Sequence, residues 1–511
     1  MPTQMHRVAF GEYLPDLPAI ANPGLTTAKN TVTDSAGYSG ISGLSNITAF
    51  SALAERPRGG IAVVDPAGNP YNFAGTSTKL YRMFDVTLDA SRSVGGMYNA
   101  TESARWDFVS FGNVVIAVNP NDDSQYYTLG ESTEFGQLGN PTSSAPRASH
   151  AGVIGAFLML GNTFDTVNGL AENAIHWSAI ADPFNWPELG TSAAVAVQSD
   201  RQVLEGDGGA VQAVAAGSEV GAVFQERAIW RVDYRGGDVV FQLNKVDPLR
   251  GLLIPGLAVP FGRQVFYLAE DGFYLFDYST SQPIGRDRVD KTFLADLDGA
   301  YLDRVSAVAD SDNQRIWISY PGSGNTAGRP NKLLIYDWGL NRWSHGDMEM
   351  ELLVEAVGSG LTLDSAGTVS DPDNLGAPDS GATVLPSFDT RLANFGARSL
   401  GAYDDSFRLS TFSGTALDAV LETGRREMTP GYRSLVSSAR PIVESVDPTI
   451  QVAGISRSTA ATTFGAPRGV DSNGSCSLRN DGRFHAFRMN LDGGFTNAVG
   501  LDVNFQRSAS R

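Results

Sequence analysis

The sequence has little cysteine, lysine and histidine, and each shortage excludes a class of protein. Cys476 is the one cysteine among 511 residues, so no intramolecular disulfide forms. The five histidines show no zinc-ligand spacing. Five of the 38 basic residues are lysines and the net charge is −18, which argues against a protein that grips nucleic-acid phosphates.

Long apolar runs are also missing. No stretch approaches the roughly 18 apolar residues of a membrane helix, and residues 1–7 lack the basic and apolar pattern of a signal peptide. Residues are 42% hydrophobic and 18% charged, a composition that suits neither a disordered chain nor a coiled coil. We expect a soluble, folded protein with more than one structural unit, without membrane insertion.

Glycine and proline, by contrast, are plentiful. The 56 glycines and 25 prolines are spread along the whole chain and imply many tight turns. Short apolar runs such as 114–118 and 265–268 recur between Gly, Asn and Asp clusters. This pattern predicts an all-β protein of short antiparallel strands.

A loose repeat of strand, turn and strand points to a β-propeller. Its copies start near positions 58, 108, 151, 211, 258, 305 and 352. Every spacing except that from 151 to 211 fits a four-stranded propeller blade, which takes about 40–50 residues. Such a blade cannot bury both faces alone, so blades stack around an axis. An array of β-sandwiches is the alternative.

Aromatic residues followed by aspartate end two of the predicted strands, at 272–277 and 332–338. We interpret each aspartate as the cap of a hairpin turn and the tryptophans, including Trp343, as packing between blades.

Composition divides the chain into four parts. We predict an N-terminal arm over 1–55, a β-propeller over 56–370, a linker over 371–390 and a small C-terminal β-domain over 391–511. The proline-containing arm buries little by itself, so it would be ordered by packing on another domain or subunit. From position 371 onward 15 acidic and 14 basic side chains leave a net charge of −1, so the part before it, 1–370, carries the other −17 of the total of −18.

No motif for catalysis or cofactor binding is present in the sequence. There is no phosphate-binding loop, zinc-protease motif, nucleophile elbow or EF-hand. Acidic clusters at 119–123, 310–313 and 404–405 are interpreted as hairpin turns rather than calcium sites. Cys476 and His485 are too weak a pair to suggest a nucleophile and its base. We therefore expect no enzymatic activity, no cofactor and no metal.

Three groups of residues carry a resemblance to a known family. They are the proline-containing segments 13–19 and 23–30 leading to Gly37-Tyr38; Ile175-His176-Trp177-Ser178 with Asp182-Pro183 and Trp186; and the closing segment 482–488 with 500–503 and Arg507. In their order along the chain they resemble the nozzle proteins (tail tubular protein B-like, or packaged-DNA stabilisation proteins) of short-tailed bacteriophages.

The resemblance implies a structural role in the tail of a virion that is assembled in the host cytoplasm. Six copies would form a ring next to the tail adaptor protein and the tail fibres. Genomic DNA would be retained in, and then pass through, the channel of this ring without specific binding. An acidic channel fits that role, because DNA carries one negative charge per ~1.7 Å of its axis.

The one long spacing, between the repeat starts at 151 and 211, marks an insertion around His176, Trp177, Asp182 and Trp186. We predict that this insertion projects from its blade and that these four residues lie in a subunit interface.

An alternative function is a carbohydrate-binding or depolymerising propeller of a receptor-binding tail protein. Its motivation is that Trp177, Trp186, Trp230 and Trp343 could stack on sugars.

Overall fold

The structure of the protein is a computed structural model that describes residues 4–84, 86–93, 97–101, 103–140, 143–217, 220–237, 239–357 and 398–509. Across these residues strands dominate, and the helices are α1 (Ser192–Ala196), α2 (Asp290–Asp296) and two 3-10 turns, Pro255–Leu257 and Gly299–Arg304. The all-β prediction is confirmed. The predicted linker 371–390 lies outside the described residues.

The strands in the first half of the chain run to residue 203. Strands β1 to β5 are Gln4–Ala9, Leu25–Lys29, Thr31–Thr33, Tyr38–Gly40 and Ser45–Asn46. Strands β6 to β13 are Gly59–Val64, Pro70–Gly75, Leu80–Met83, Thr87–Asp89, Asp107–Phe111, Val114–Val118, Gln125–Thr128 and Gly136–Gln137. Strands β14 to β19 are Gly139–Asn140, Ser143–Ser144, Arg147–Ile154, Phe157–Asp165, Gly169–Trp177 and Asp200–Val203.

The remaining strands begin at residue 211. Strands β20 to β27 are Val211–Ala215, Val220–Gln225, Ile229–Tyr234, Phe241–Asp247, Ala258–Phe261, Gln264–Ala269, Gly272–Phe276 and Ser281–Pro283. Strands β28 to β34 are Ser306–Asp310, Arg315–Tyr320, Lys332–Asp337, Arg342–Asp347, Leu352–Val357, Arg398–Tyr403 and Leu409–Thr411. Strands β35 to β40 are Ala419–Thr423, Arg433–Glu444, Thr449–Ile455, Cys476–Gly482, Phe484–Leu491 and Thr496–Ala509.

Within the described residues, seven groups of four strands repeat along the chain. The first five sheets are β6–β9, β10–β13, β16–β19, β20–β23 and β24–β27, each an antiparallel meander. The sixth is β28–β31, and the seventh combines β32, β33 and β34 with β5. The first strands begin at residues 59, 107, 147, 211, 258, 306 and 352. These positions confirm the predicted repeat, whose largest error is 151 against 147.

Each sheet is buried on both faces by its neighbours. Successive side chains on a strand point in opposite directions, so alternate residues contact different neighbouring sheets. On β11, Val115 and Ala117 pack against the first sheet, whereas Ile116 and Val118 pack against the third. The continuous apolar run is therefore a strand with two buried faces, which is the pattern expected of stacked sheets.

The hydrophobic core is divided into layers between the sheets. A cluster lies between each consecutive pair from the first sheet to the seventh. A further cluster joins the last sheet to the first, with Leu352, Val354 and Tyr403 packed on Ala74 and Met83. The sheets thus follow one another in a closed circle, an arrangement consistent with a β-propeller.

The circle is closed by a strand from the N-terminal part of the chain. Strand β5 pairs antiparallel with β34, with Asn46 opposite Ser410 and Ser45 opposite Thr411. Strand β32 pairs with β33, and β33 pairs with β34, so by hydrogen bonding the seventh sheet extends to Thr411. The predicted boundary at 391 therefore separates two strands of one sheet, β32 and β33, because the sequence does not show which strands pair.

The N-terminal residues are not a separate arm. Strand β2 lies between β31 and β35, in a sheet that continues through β39 to β37. Strands β1, β3 and β4 belong to a second sheet with β40, β36 and β38. Val8, Phe10 and Tyr38 share one core with Val436 and Phe505. The segment predicted as an arm thus packs on the C-terminal strands and on the sixth sheet.

Among the described residues, no helix has the length and apolar character needed to cross a membrane.

Candidate functional site

The four predicted interface residues lie in and beside the third sheet. His176 and Trp177 end strand β18, and Trp186 lies in the segment that follows. The Trp177 ring packs edge-on against Phe241 at 5.2 Å, and the His176 ring meets Trp186 in the same way at 5.2 Å. All three side chains are buried within the chain itself.

The segment from Ser178 to Ser199 accounts for the long repeat spacing, as predicted. It folds back rather than projecting: the Phe184 ring lies edge-on to Tyr126 of the second sheet at 4.8 Å. The Asp182 carboxylate accepts a hydrogen bond from the Phe184 amide at 3.0 Å, and the Trp186 indole donates to the Pro183 carbonyl at 2.8 Å.

The expectation of a subunit interface is therefore corrected for the buried His176, Trp177 and Trp186, and stays a prediction for the partly exposed Asp182. His176, Trp177 and Trp186 are core residues of one chain, and Asp182 stabilises a turn. The sequence marked the insertion but not its direction, because a long aromatic-containing loop satisfies the same pattern whether it covers its own sheets or another subunit.

Burial also argues against stacking of the tryptophan rings on sugars. Trp177, Trp186 and Trp343 are 3%, 4% and 0% exposed, so their ring faces are covered. The Trp230 indole donates to Gln225 at 2.7 Å, and the Lys245 ammonium lies 5.0 Å from its ring. No observation favours the carbohydrate-binding alternative.

The structural feature that involves all seven sheets is a central cavity of about 520 Å³. Every first strand contributes residues to its wall. Small side chains dominate because seven strands converge there; they include Gly60, Ala62, Ala151, Gly152, Ala213, Ala258, Ala307 and Ala309.

Ionisable side chains also line the cavity. His150 Nδ1 lies 3.7 Å from Asp107 Oδ2, which also accepts a hydrogen bond from the Ala151 amide at 3.1 Å. Arg398 Nη1 lies 3.2 Å from Glu355 Oε2. Arg105 donates to the backbone carbonyls of Asp303 and Val305, and burial lowers the pKa of its guanidinium.

The cavity offers acid–base groups but no activated nucleophile. Asp107 lies beside His150 and could orient it as a base. Among the described residues, however, no hydroxyl or thiol forms a hydrogen bond with His150. A nucleophile needs such contact with its base. In the same part of the chain no group of three His, Cys, Asp or Glu side chains could hold a metal ion.

The cysteine and histidine considered from the sequence are both buried. Cys476 Sγ donates to the Arg468 carbonyl at 3.1 Å, and burial raises the pKa of the thiol. Burial lowers the pKa of His485. A raised thiol pKa disfavours the reactive thiolate, so Cys476 is a structural residue.

The acidic clusters act as turns. Asn119 Oδ1 accepts from the amides of Asn121 and Asp122 at 2.8 and 3.0 Å. Asp310 accepts from the Asn313 amide at 3.2 Å, and Asp404 accepts from the Ser406 amide at 2.9 Å. These contacts confirm the turn interpretation.

Sequence reasoning missed three charged residues that line a second cleft. Arg58, Arg304 and Glu351 lie just before first strands, so their position at or next to the predicted repeat starts was the signal that could have identified them.

Comparisons with known proteins find matches among solved structures. No protein-family model and no curated protein matches the chain. Among solved structures, the chain is similar to one described as "YCF48 bound to D1 peptide", with 13% sequence identity and a TM-score of 0.31. The match covers 57% of this chain and 87% of that one.

Proposed function

We propose that this protein is a structural, ring-forming component of a short-tailed phage tail, in which the seven sheets form a seven-bladed β-propeller. The observation that carries the proposal is the continuous sheet that joins the sixth blade to both ends of the chain. In it, β31 pairs with β2, β2 with β35, and β35 with β39. A shared sheet couples the propeller to the terminal strands. Such a connection suits a tail component that must keep its shape while the genome passes.

The path of DNA in this proposal runs between copies of the protein. A cavity of about 520 Å³ is of the size that holds a small molecule, for which pockets are about 300–1,000 Å³. The major groove of B-DNA alone is about 12 Å wide. We therefore place the channel for the duplex on the axis of the ring rather than through one propeller.

Charge supports a conduit rather than a binding site. The part of the chain before position 371, which contains the first six sheets and strand β32 of the seventh, carries a net charge of −17, and DNA phosphates are also negative. Repulsion between the channel wall and the duplex would let the genome slide without adhering.

The ring is tested by measuring the mass of the purified protein by light scattering, alone and with its proposed neighbour, the tail adaptor protein. Electron microscopy would show the rings directly. We expect rings near six times the 54.3 kDa chain mass. A protein that stays monomeric even with that neighbour present contradicts the proposal.

The conduit is tested by fluorescence anisotropy with a labelled 30-base-pair duplex over a series of salt concentrations. We expect no saturable binding at about 50 mM salt, where phosphate contacts are strong. Tight binding that weakens steeply with added salt would indicate a DNA-gripping protein instead.

A further inference from the structure

The sixth sheet extends outward, away from the central cavity, into the terminal strands. First strands line the cavity, so β31, the fourth strand of the sixth sheet, lies at the periphery of the circle. Beyond β31 the sheet continues through β2, β35 and β39 to β37. At about 4.8 Å between neighbouring strands, β37 lies roughly 19 Å farther out than β31. Strand β37 is thus far from the axis of the circle.

The loop that follows β37, residues 456–475, covers the outer side of this strand. Arg468 and Ile450 exchange backbone hydrogen bonds of 2.8 and 2.9 Å. The Arg425 guanidinium donates to the Ser458 carbonyl at 2.6 Å. The loop is therefore held in place before any partner arrives, which reduces the entropy lost when a partner binds it.

We call β37, β38 and the loop between them the basic edge. Its three arginines, Arg457, Arg468 and Arg479, are exposed, and no carboxylate of the described residues forms an ion pair with any of them. Its two carboxylates are already engaged. Asp471 accepts hydrogen bonds from two backbone amides of its own turn at 2.9 Å each, and Asp481 pairs with an arginine of β36. The charge left available on this edge is positive.

The second and third sheets carry the opposite charge, and we call them the acidic side. From β10 to β19, residues 107–203 contain ten carboxylates and two arginines, a net charge of −8 with histidine neutral. The same stretches of the first, fourth, fifth and sixth sheets carry −1, −1, −2 and 0. All charged side chains of 107–203 belong to described residues, because the two positions left out are a proline and a threonine.

Four carboxylates of the acidic side lie at the periphery of the circle. Glu131 and Glu134 precede β13, Glu188 precedes β19, and Asp200 begins β19, where β13 and β19 are fourth strands. All four residues are exposed, and none forms an ion pair with another described residue. Like charges placed close together repel, so a cationic partner would be favoured here.

The basic edge and the acidic side lie on opposite sides of the molecule. In a closed circle of seven sheets, the second and the third are each three places from the sixth, which is the largest separation possible. The basic edge extends from the sixth. Each copy therefore offers two different surfaces of opposite charge, and a ring with head-to-tail contacts requires two such surfaces.

We propose that the basic edge of one copy docks on the acidic side of a second copy of this chain. The inference rests on the proposed ring and adds the surfaces through which its copies meet. Arginine forms forked hydrogen bonds with carboxylates, so unpaired arginines suit unpaired glutamates. Complementary charge also selects the pairing of unlike surfaces, because like charges placed face to face are costly.

Charge reversal on the basic edge tests the contact. Arg457→Glu, Arg468→Glu and Arg479→Glu, combined in one variant, should raise the concentration at which half of the rings dissociate about tenfold or more, measured by light scattering. Wild-type rings should also dissociate more readily as sodium chloride is added. Arg263→Glu, at an exposed turn of the fifth sheet, is the matched control and should leave the rings intact. Melting temperatures check that each variant is folded.

A second variant identifies the partner surface. Glu131→Arg, Glu134→Arg and Glu188→Arg, combined, should break the ring as well. An equal mixture of the two triple variants should form rings again, because each contact in an alternating ring then joins opposite charges. A mixture that stays dissociated would overturn the assigned pair of surfaces.

The outcomes separate this inference from the ring itself. Wild-type rings that persist in both triple variants would overturn the assigned surfaces and leave the ring standing. A wild type that is monomeric, alone and with the tail adaptor protein, would overturn both. If the wild type binds a labelled 30-base-pair duplex and the arginine variant does not, the basic edge binds nucleic acid, and a second copy is not its partner.

Discussion

Asn46 and Ser410 are directly opposite one another in the seventh sheet, although 364 positions separate them in the sequence. The buried Ser410 hydroxyl donates to Asn46 Oδ1 at 2.7 Å. The next residue, Ile47, donates its amide to the Leu409 carbonyl at 3.0 Å. These contacts attach the segment before the first sheet to the last sheet and close the circle.

Replacing Ile47 with proline should open this closure. Proline has no amide to donate, so the bond to Leu409 is lost and strand β5 detaches more readily. We expect a loss of about 1–3 kcal/mol in the free energy of unfolding and faster proteolysis near residue 47. Ile47→Val keeps the amide and is the control. Equal stability of the two variants would mean that β5 contributes little to closure.

His176 should make the protein less stable as the pH falls from 6.5 to 4. Burial lowers its pKa to about 4, and neither ring nitrogen has a hydrogen-bond partner. The unfolded chain binds a proton in this window and the folded chain does not, so stability increases with pH. For one such histidine the difference between pH 7 and pH 5 is about 2 kcal/mol.

The measurement is denaturant unfolding of His176→Phe at pH 7 and pH 5. Phenylalanine keeps an aromatic ring against Trp186 without the titrating group, so the pH dependence should shrink. Some should remain, because burial also lowers the pKa of His345 to about 4. The exposed His6 gives the control variant His6→Phe. An unchanged slope in His176→Phe contradicts the argument.

Asp290, in contrast to His176, should make the protein less stable as the pH rises. Burial raises its pKa to about 6, against the stabilising hydrogen bond from the Phe273 amide at 3.1 Å. The folded chain holds this proton more tightly than the unfolded chain. The resulting stability is therefore full below about pH 3.8 and is lost as pH rises through 6.

Asp290→Asn should remove this loss of stability, because the asparagine amide does not titrate. Its oxygen can still accept the hydrogen bond from the Phe273 amide. We expect the variant to gain about 2 kcal/mol relative to the wild type between pH 4 and pH 7. Thermal unfolding at several pH values measures it. Asp287→Asn, at an exposed site on the same turn, is the control. A variant whose stability relative to the wild type does not change with pH would refute the prediction.

Trp343 should be among the most sensitive core positions. It is fully buried, its ring lies 4.7 Å from Tyr336 and 5.2 Å from Phe273, and its indole donates to the Ile284 carbonyl at 3.1 Å. We expect Trp343→Ala to cost about 3–5 kcal/mol, because it leaves a cavity between the fifth and sixth sheets.

Urea unfolding of Trp343→Ala and Trp343→Phe measures this cost. The phenylalanine variant should lose less, since it keeps most of the ring contacts but not the hydrogen bond. Trp338→Phe is the control, because Trp338 is only partly buried. A loss below about 1 kcal/mol for Trp343→Ala would mean that neighbouring side chains refill the space.

The sheets could be predicted from the sequence because their information is local. Runs such as β11 and β25 alternate between two buried faces, and turn residues separate them at a regular spacing. Asp277 caps its predicted turn, accepting from the Thr280 amide at 2.7 Å. Strand β36 is less apparent from the sequence: its apolar residues form two short runs, around Leu435 and Ile442, but one continuous strand forms.

Pro441 explains why the two apolar runs of β36 look like separate strands in the sequence. Pro441 lacks an amide and favours a strand end in a prediction. In the structure it lies past the segment that pairs with β38 and faces Leu501 of β40, so only one side of the strand is paired there.

The sequence by itself determined the all-β class, the seven repeat starts and the acidity of the chain before position 371. These depend on side-chain alternation, turn chemistry and composition, which a chain carries without folding. Only the tertiary structure decided that β5 closes the seventh sheet, that the first strands interleave with the last, and that Trp186 faces inward. The same is true of the position of the basic edge opposite the acidic side. Each depends on which distant segments pair, and long-range pairing is set by how whole sheets bury their faces.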